Sequence, residues 1–151
     1  MVAEVTSEPP PILLVEDNPD DVLLTRRALA RQGLETAVVK DGIEALDFLF
    51  AEGRFADRAA SRLPRFVLLD LKLPKVAGLE VLRRLRSDAR TRGLPVVVFT
   101  SSGEERDLVE AFERGANSYV RKPIDSIQFG SVLRDLGHYW LTVNEATPER
   151  A

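Results

Sequence analysis

Short apolar runs alternate along the chain with segments whose apolar residues recur at helical spacing. Four of the runs are continuously apolar, which is typical of strands that are covered on both faces. Each run ends at polar, Gly or Pro residues, so that each is short enough for a strand. We predict five strands, at residues 11–16, 36–40, 66–69, 95–100 and 117–121.

A helical segment follows each predicted strand. The first has a cap candidate at Asn18, Pro19 in its first turn and acidic residues facing the helix dipole, and Gly33 is a plausible end. The stretch 52–64 has no clear period and is predicted to be a loop. The predicted helices comprise 22–32 with a first turn at 17–21, then 43–50, 78–86, 104–114 and a last helix from 125 to about 144.

This alternation predicts an α/β fold with a parallel sheet and right-handed crossovers. Five strands and five helices fit the flavodoxin-like, doubly wound arrangement with strand order 2-1-3-4-5, in which ligands bind beyond the carboxyl ends of the strands. We expect one domain at 11–144, a disordered N-terminal tail at 1–10 and a C-terminal tail at 145–151.

Composition narrows the classes of function. The chain has 151 residues, 44% hydrophobic residues and a net charge of −3, which gives no basic signature for nucleic acid or anionic lipid. Without cysteine it has no disulfide, thiolate metal site or cysteine nucleophile. The N-terminus lacks the apolar core of a secretory signal, and no apolar run could span a bilayer. We therefore expect a cytoplasmic protein with neither nucleic acid nor membrane as partner.

Polar residues follow several strands at the edge where ligands bind in such sheets. Glu16 and Asp17 end the first strand, Asp70 the third, Thr100 the fourth, and Lys122 follows the fifth. Three neighbouring carboxylates repel one another unless a cation binds, and Mg²⁺ prefers hard oxygen ligands. A carboxylate beside a divalent cation can act as a nucleophile toward a phosphoryl group.

Each of these residues also has an ordinary structural interpretation. Asp17 could cap the first helix, Asp70 could be a turn acid, and Lys122 could be a solvated surface lysine. Their occurrence together favours the metal and phosphoryl site. A nucleotide-binding enzyme on the same fold is disfavoured because no glycine-rich loop follows the first strand.

Four motifs, VEDNP, LLDLKLPKVAGLEVL, VVVFTSS and YVRKP, occur in order over residues 11–140. Together they resemble the receiver domain of bacterial two-component response regulators. The resemblance implies a domain that takes a phosphoryl group from a histidine kinase on Asp70, with Mg²⁺ as cofactor, and that signals through a protein surface. It further implies that Glu16 and Asp17 bind the metal, and that Lys72 binds it through its backbone carbonyl. Thr100 would be the switch hydroxyl, Tyr119 the switch aromatic residue and Lys122 the phosphate contact. By the same analogy the Lys122–Pro123 bond would be cis.

Three segments, VEDNPDDVLLTRRAL, DGIEALDFLF and HYWLTVNE, are similar to stand-alone receivers that work with bacterial and cyanobacterial phytochromes. This narrower resemblance implies a bacteriophytochrome as the kinase. Lys72 stands where relatives often have an uncharged residue, and Ala77 replaces a common Asp. We predict that Lys72 and Ser102 tune the lifetime of the phosphoryl group. The alternative function is a phosphorylation-independent adaptor with a receiver fold.

The last helix is apolar on more than one face. One stripe covers the sheet and comprises Phe129, Leu133, Leu136, Trp140 and Val143. Other apolar residues lie off this stripe, and a second apolar face needs a second partner. We predict a homodimer through the fourth helix, fifth strand and fifth helix, with interface candidates Val132, Tyr139, Trp140 and Leu141. The alternative is a monomer with a slightly apolar terminal helix.

Overall fold

The structure, a computed structural model, describes residues 10–58, 62–146 and 148. Its strands are β1 (Ile12–Val15), β2 (Thr36–Val39), β3 (Phe66–Leu69), β4 (Val96–Thr100) and β5 (Ser118–Arg121). Its α-helices are α1 (Pro19–Ala30), α2 (Gly42–Phe50), α3 (Gly78–Arg86), α4 (Glu105–Glu113) and α5 (Ser126–His138). The predicted tails fall mostly on residues 1–9, 147 and 149–151, which lie outside the described residues, and they stay predictions.

The five strands form one parallel sheet in the order β2-β1-β3-β4-β5, which confirms the predicted fold class. β1 lies between β2 and β3, and its last residue, Val15, is in register with Val39 and Leu69. Because parallel strands run the same way, their carboxyl ends share one edge. The residues after β1 and β3 therefore come side by side.

The hydrophobic core has two halves, one on each face of the sheet. Leu13 and Val15 face the half formed with α2 and α3, whereas Ile12 and Leu14 face the half formed with α1 and α5. All four residues of β1 are buried, as are all of β3 and β4. Burial on both faces is the physical reason why these strands are continuously apolar instead of alternating.

The described part of the predicted loop at 52–64 is irregular apart from a short 3₁₀ turn at Gly53–Phe55, where the Phe55 ring packs edge-on against Phe48 with centroids 5.0 Å apart. One local prediction is wrong. The Lys122–Pro123 bond is trans, like every other described peptide bond. A trans X-Pro bond is favoured by about 0.5–1 kcal/mol, and Lys122 reaches its partners from this backbone without a cis bond.

The last helix is α-helical only as far as His138. It continues from α5 into a turn of π-helix at Tyr139–Val143, which lays the Trp140 ring against Phe66 at 6.2 Å between centroids. Trp140 is thus buried in its own chain, and Tyr139, 45% exposed, has the largest exposed fraction of the four predicted dimer contacts. Val143, placed by sequence on the buried stripe, is 54% exposed. No helix in the described part of the chain is both long and apolar enough to cross a bilayer.

Candidate functional site

Two acids lie at the sheet edge because the strand ladders hold their backbones. The Glu16 N–H donates to the Val39 carbonyl at 3.0 Å, and the Asp70 N–H donates to the Val15 carbonyl at 3.1 Å. Each acid thus extends its strand by one residue. Glu16 is 1% exposed and Asp70 is 7% exposed, whereas Asp17, the next residue along the chain, is exposed.

The three acids predicted from the sequence converge. Carboxylate oxygens of Glu16, Asp17 and Asp70 all lie within 4.8 Å of one another. The group combines two buried carboxylates with one at the solvent boundary, and it offers only hard oxygen donors. This donor set fits Mg²⁺, which is bound by few carboxylates and retains water or phosphate oxygens for its other positions.

A buried lysine neutralises part of this negative charge. The Lys122 Nζ donates to Glu16 Oε1 at 2.5 Å and to Asp70 Oδ2 at 3.3 Å. The Lys122 side chain is only 7% exposed. Its backbone N–H donates to the Thr100 carbonyl at 2.7 Å, which places the lysine at the end of β5 beside β4.

Asp21 also belongs to the site, although its position in the sequence indicated only a favourable interaction with the helix dipole. Its Oδ2 accepts from the Lys122 Nζ at 2.8 Å, so the lysine contacts three carboxylates. Asn18 caps α1 by accepting from the Asp20 and Asp21 N–H groups, which directs the first helical turn back toward the sheet edge. Asp21 stands in the first turn of α1, and no spacing along the chain indicated its contact with Lys122.

Burial and charge shift the ionisation of two groups in the site. Desolvation, reinforced by the charge of Asp70 and opposed by Lys122, raises the pKa of Glu16 to about 7. Burial by itself would lower the pKa of Lys122, but hydrogen bonds to Asp21 and Glu16 and the charge of Asp70 raise it above its usual value. The ammonium therefore stays charged and serves as a counter-charge to these carboxylates.

Ser102 connects the two residues predicted as switch elements. Its backbone N–H donates to the Thr100 Oγ1 at 3.4 Å, and its carbonyl accepts from the Tyr119 hydroxyl at 3.1 Å. Its own hydroxyl donates to Asp107 Oδ2 at 2.5 Å in the first turn of α4. Thr100 is fully buried, so this hydrogen-bonded chain leads from the sheet edge to α4.

The loop at residues 71–77, which leads from Asp70 into α3, lies beside the acids of the site. The Lys72 N–H lies 3.4 Å from Asp70 Oδ1, and the Lys72 residue is exposed. At the far end of the loop the Gly78 N–H donates to the Leu71 carbonyl at 3.0 Å. The backbone of Lys72 is therefore held beside the acids, and the use of its carbonyl as a metal ligand stays a prediction.

Apolar residues lie next to the acidic cluster on the outer surface. Ile124 is fully exposed and Ile127 is 80% exposed, both just after Lys122 and Pro123. An open depression at this place is lined by Ser101, Arg121, Lys122, Pro123 and Ile124. The two isoleucines therefore leave apolar surface exposed at the rim of the charged site.

Comparison with known families gives one match that spans most of the chain. The model of the response regulator receiver domain matches residues 12–134. The matched residues include all five strands, the acid cluster and the lysine after β5.

Three solved structures are similar to this chain. The phosphorylated cyanobacterial phytochrome response regulator RcpA is 35% identical, with a TM-score of 0.84, and the match covers 89% of this chain and 96% of RcpA. The Mn²⁺-bound form of response regulator Rcp1, a protein of Synechocystis, is 30% identical with a TM-score of 0.82, covering 92% and 99%. The bacteriophytochrome response regulator RtBRR is 49% identical with a TM-score of 0.72, covering 93% and 85%.

Proposed function

The chain belongs to the response regulator receiver domain family, a family of signalling domains, and we propose that it is a phosphorylation-controlled switch. In this proposal Asp70 accepts a phosphoryl group from a histidine kinase with the help of Mg²⁺. One observation carries the proposal: the acid cluster of Glu16, Asp17 and Asp70 stands beside the buried ammonium of Lys122. The similarity to a phosphorylated and to a Mn²⁺-bound relative supports it.

Glu16, Asp17 and Asp70 would hold the Mg²⁺, together with the Lys72 carbonyl. Bound there, the ion would neutralise charge that develops on the phosphoryl oxygens during transfer. An Asp70 carboxylate oxygen forms the new O–P bond while the P–N bond of the donor phosphohistidine breaks, and the electron pair leaves with the imidazole. The same residues would serve hydrolysis of the acyl phosphate, in which water attacks phosphorus and the Asp70 carboxylate is released.

The charge change at Asp70 supplies the signal. The acyl phosphate adds acceptor oxygens for the Lys122 ammonium and the Thr100 hydroxyl, both of which now have partners inside the protein. Movement of Thr100 toward the phosphoryl group would break its contact with the Ser102 N–H. Tyr119, hydrogen-bonded to the same residue, would then shift with α4 and change the population of surface conformations.

We propose a bacteriophytochrome as the kinase, because RtBRR and RcpA, named for phytochrome systems, match nearly the whole chain. Ile124 and Ile127 lie at the rim of the site, where the donor must approach. The proposed place of action is the cytoplasm, where the ATP used by such a kinase is available.

The homodimer also remains a proposal, and the structure offers apolar surface for it. Leu108, Val109 and Phe112 are 38%, 46% and 49% exposed on α4, beside the edge strand β5. Only Ala111 of α4 is buried, so this helix keeps most of its side chains available to a partner. Tyr139 beyond α5 adds an exposed aromatic ring.

The first test is the intact mass of the protein after incubation with acetyl phosphate, with and without Mg²⁺. We expect one phosphoryl group on the wild type, and none without Mg²⁺ or in Asp70→Asn. The exposed Asp135→Asn serves as the matched control and should behave as the wild type. Absence of both an adduct and Mg²⁺ binding would favour the phosphorylation-independent adaptor.

The kinase partner is tested by phosphotransfer from an autophosphorylated bacteriophytochrome. We expect transfer to the wild type and at least tenfold slower transfer to Ile124→Glu, because a charge at the rim opposes apolar docking. Ile43→Glu, a change at an exposed isoleucine of α2, is the control. Acceptance from acetyl phosphate without acceptance from the bacteriophytochrome would exclude this class of kinase while leaving the switch intact.

Light scattering at high protein concentration tests the dimer. We expect a dimer mass for the wild type and a monomer mass for Phe112→Glu. Leu23→Glu on α1 is a matched control, since Leu23 is 48% exposed. A monomer mass for the wild type, with and without acetyl phosphate, would refute the dimer.

A further inference from the structure

We propose that the N-terminus of α2 positions the 71–77 loop for metal binding, with Gly42 and Asp41 as positioning residues. This inference rests on the proposed function, since it concerns the same magnesium site. Neither residue belongs to the acid cluster, and both act through the loop that they contact. In the sequence, Asp41 and Gly42 follow the predicted second strand and open the DGIEALDFLF segment, and neither was assigned a role in the site.

The first support is the close contact between Gly42 and the loop. The Gly42 N–H donates to the Pro74 carbonyl at 3.3 Å. A methyl group on Gly42 would overlap the Val76 carbonyl oxygen and would lie 2.6 Å from the Val76 Cβ. Since the obstructing group is backbone, it cannot rotate away, and either the loop or the helix would have to move.

The second support is the charge and backbone geometry opposite Asp41. Asp41 is buried and caps α2 by accepting from the Glu44 N–H at 2.8 Å, while its other oxygen lies 3.5 Å from the Lys75 Nζ. Lys75 has φ of +70°, a backbone conformation that is unfavourable for a residue with a side chain. The ion pair between Lys75 and Asp41 is partly exposed and therefore contributes little energy. Its role in this proposal is to orient the strained turn at Lys75, whereas Gly42 provides the main contact with the loop.

The third support is that the loop is tied at its other end to the phosphoacceptor itself. A methyl group on Gly78 would overlap the Asp70 carbonyl oxygen, and the Gly78 N–H donates to the Leu71 carbonyl at 3.0 Å. The loop is therefore held between Asp70 and α2. A shift at Val76 cannot be absorbed at Gly78 and is transmitted to Lys72, whose carbonyl is the expected metal ligand.

The test compares Gly42→Ala with Gly130→Ala, the same substitution at a glycine of α5 whose added methyl would meet no atom within 4 Å. Affinity for Mg²⁺ is measured by titration calorimetry on the full chain. We expect Gly42→Ala to bind Mg²⁺ about tenfold or more weakly, the range for a residue that orients a metal ligand. The rate of phosphorylation by acetyl phosphate should recover to the wild-type value at saturating Mg²⁺. Gly130→Ala should match the wild type throughout.

A second readout uses the metal-free protein. Amide hydrogen exchange of residues 71–77 should be faster in Gly42→Ala than in the wild type, with unchanged exchange in β1 and β3. A folded Gly42→Ala whose Mg²⁺ affinity lies within twofold of the wild type would overturn the inference. If the wild type binds no Mg²⁺, the proposed function itself fails and this inference with it.

If Gly42→Ala does not fold, Lys75→Met tests the positioning of the 71–77 loop instead. The Lys75 side chain is 63% exposed, so its replacement leaves no cavity. The inference predicts Mg²⁺ binding about twofold to threefold weaker, the scale of a surface ion pair. Loss of a positive charge near a cation site would by itself strengthen binding, so the two effects have opposite signs. Equal or stronger binding by Lys75→Met would overturn the inference.

Discussion

Replacement of Lys122 by methionine separates the electrostatic function of this residue from its packing. The Lys122 Nζ lies within 3.3 Å of oxygens from Glu16, Asp21 and Asp70, and it is the cation that the structure places among them. Methionine fills a similar volume but leaves these carboxylates without a counter-charge. The proposed role of Mg²⁺ predicts that the metal can take over this neutralisation.

The expected cost follows from the burial of the group. Removing one partner of a buried ion pair costs about 3–5 kcal/mol. Asp21 is 25% exposed and can be solvated, so we expect the lower end, about 3 kcal/mol, in the absence of metal. For a chain of this length that corresponds to a melting temperature lower by about 6–12 °C. With saturating Mg²⁺ the difference from the wild type should fall to about 1 kcal/mol, because the metal binds only the folded state and binds the variant, which lacks the competing Lys122 ammonium, more tightly than the wild type.

Urea unfolding followed by fluorescence of Trp140 is a suitable assay. Trp140 is the single tryptophan, it is buried against Phe66, and it lies away from the substituted residue. Measurements at pH 8, above the pKa of about 7 for Glu16, keep that carboxylate ionised in the wild type, and loss of Lys122 raises this pKa further in the variant. Lys40→Met, at an exposed lysine, is the control and should change stability by less than about 0.5 kcal/mol. A metal-free loss below about 1 kcal/mol for Lys122→Met, or an equal loss with and without Mg²⁺, would refute the reasoning.

Three further predictions concern residues outside the acid cluster. Arg86→Met should lower the free energy of unfolding by about 3 kcal/mol, because the Arg86 guanidinium donates to four backbone carbonyls and one side-chain amide. Urea unfolding measures this loss, and a change no larger than that of the exposed Arg84→Met would contradict it. Lys72→Asn should change the dephosphorylation rate of the acyl phosphate by more than twofold in a mass time course; an unchanged rate would exclude tuning by Lys72. Ser102→Ala should speed amide hydrogen exchange in the first turn of α4, because Asp107 loses its hydrogen-bond partner. The control is Ser101→Ala at an exposed serine, and equal exchange in the two variants would show that this hydrogen bond does not stabilise the helix start.

The geometry of Ser102 bears on how it could affect phosphoryl lifetime. From the sequence, Ser102 is predicted to tune this lifetime together with Lys72. Its hydroxyl is committed to Asp107, and its backbone groups contact Thr100 and Tyr119. An effect on lifetime would therefore act through the position of the loop before α4, and the prediction itself stays open.

Local patterns were sufficient for the fold and for most of the candidate site. A continuously apolar run such as 66–69 predicts a strand covered on both faces, and parallel strands with short crossovers bring their carboxyl ends to one edge. Residues placed directly after those strands, such as Glu16 and Asp70, are then neighbours whatever the details of packing. For this reason the convergence of acids and of Lys122 could be predicted from their positions along the chain.

Only the tertiary structure decided which groups use one another as partners. The contact of Asp21 with Lys122 depends on how α1 docks, and the partner of the Ser102 hydroxyl depends on a side-chain rotamer. The contact of Trp140 with Phe66 depends on a turn of π-helix. The contact of Gly42 with the 71–77 loop joins segments that are distant in sequence. Sequence periodicity reports which face of an element is buried, whereas these contacts depend on the distances and angles between elements after packing.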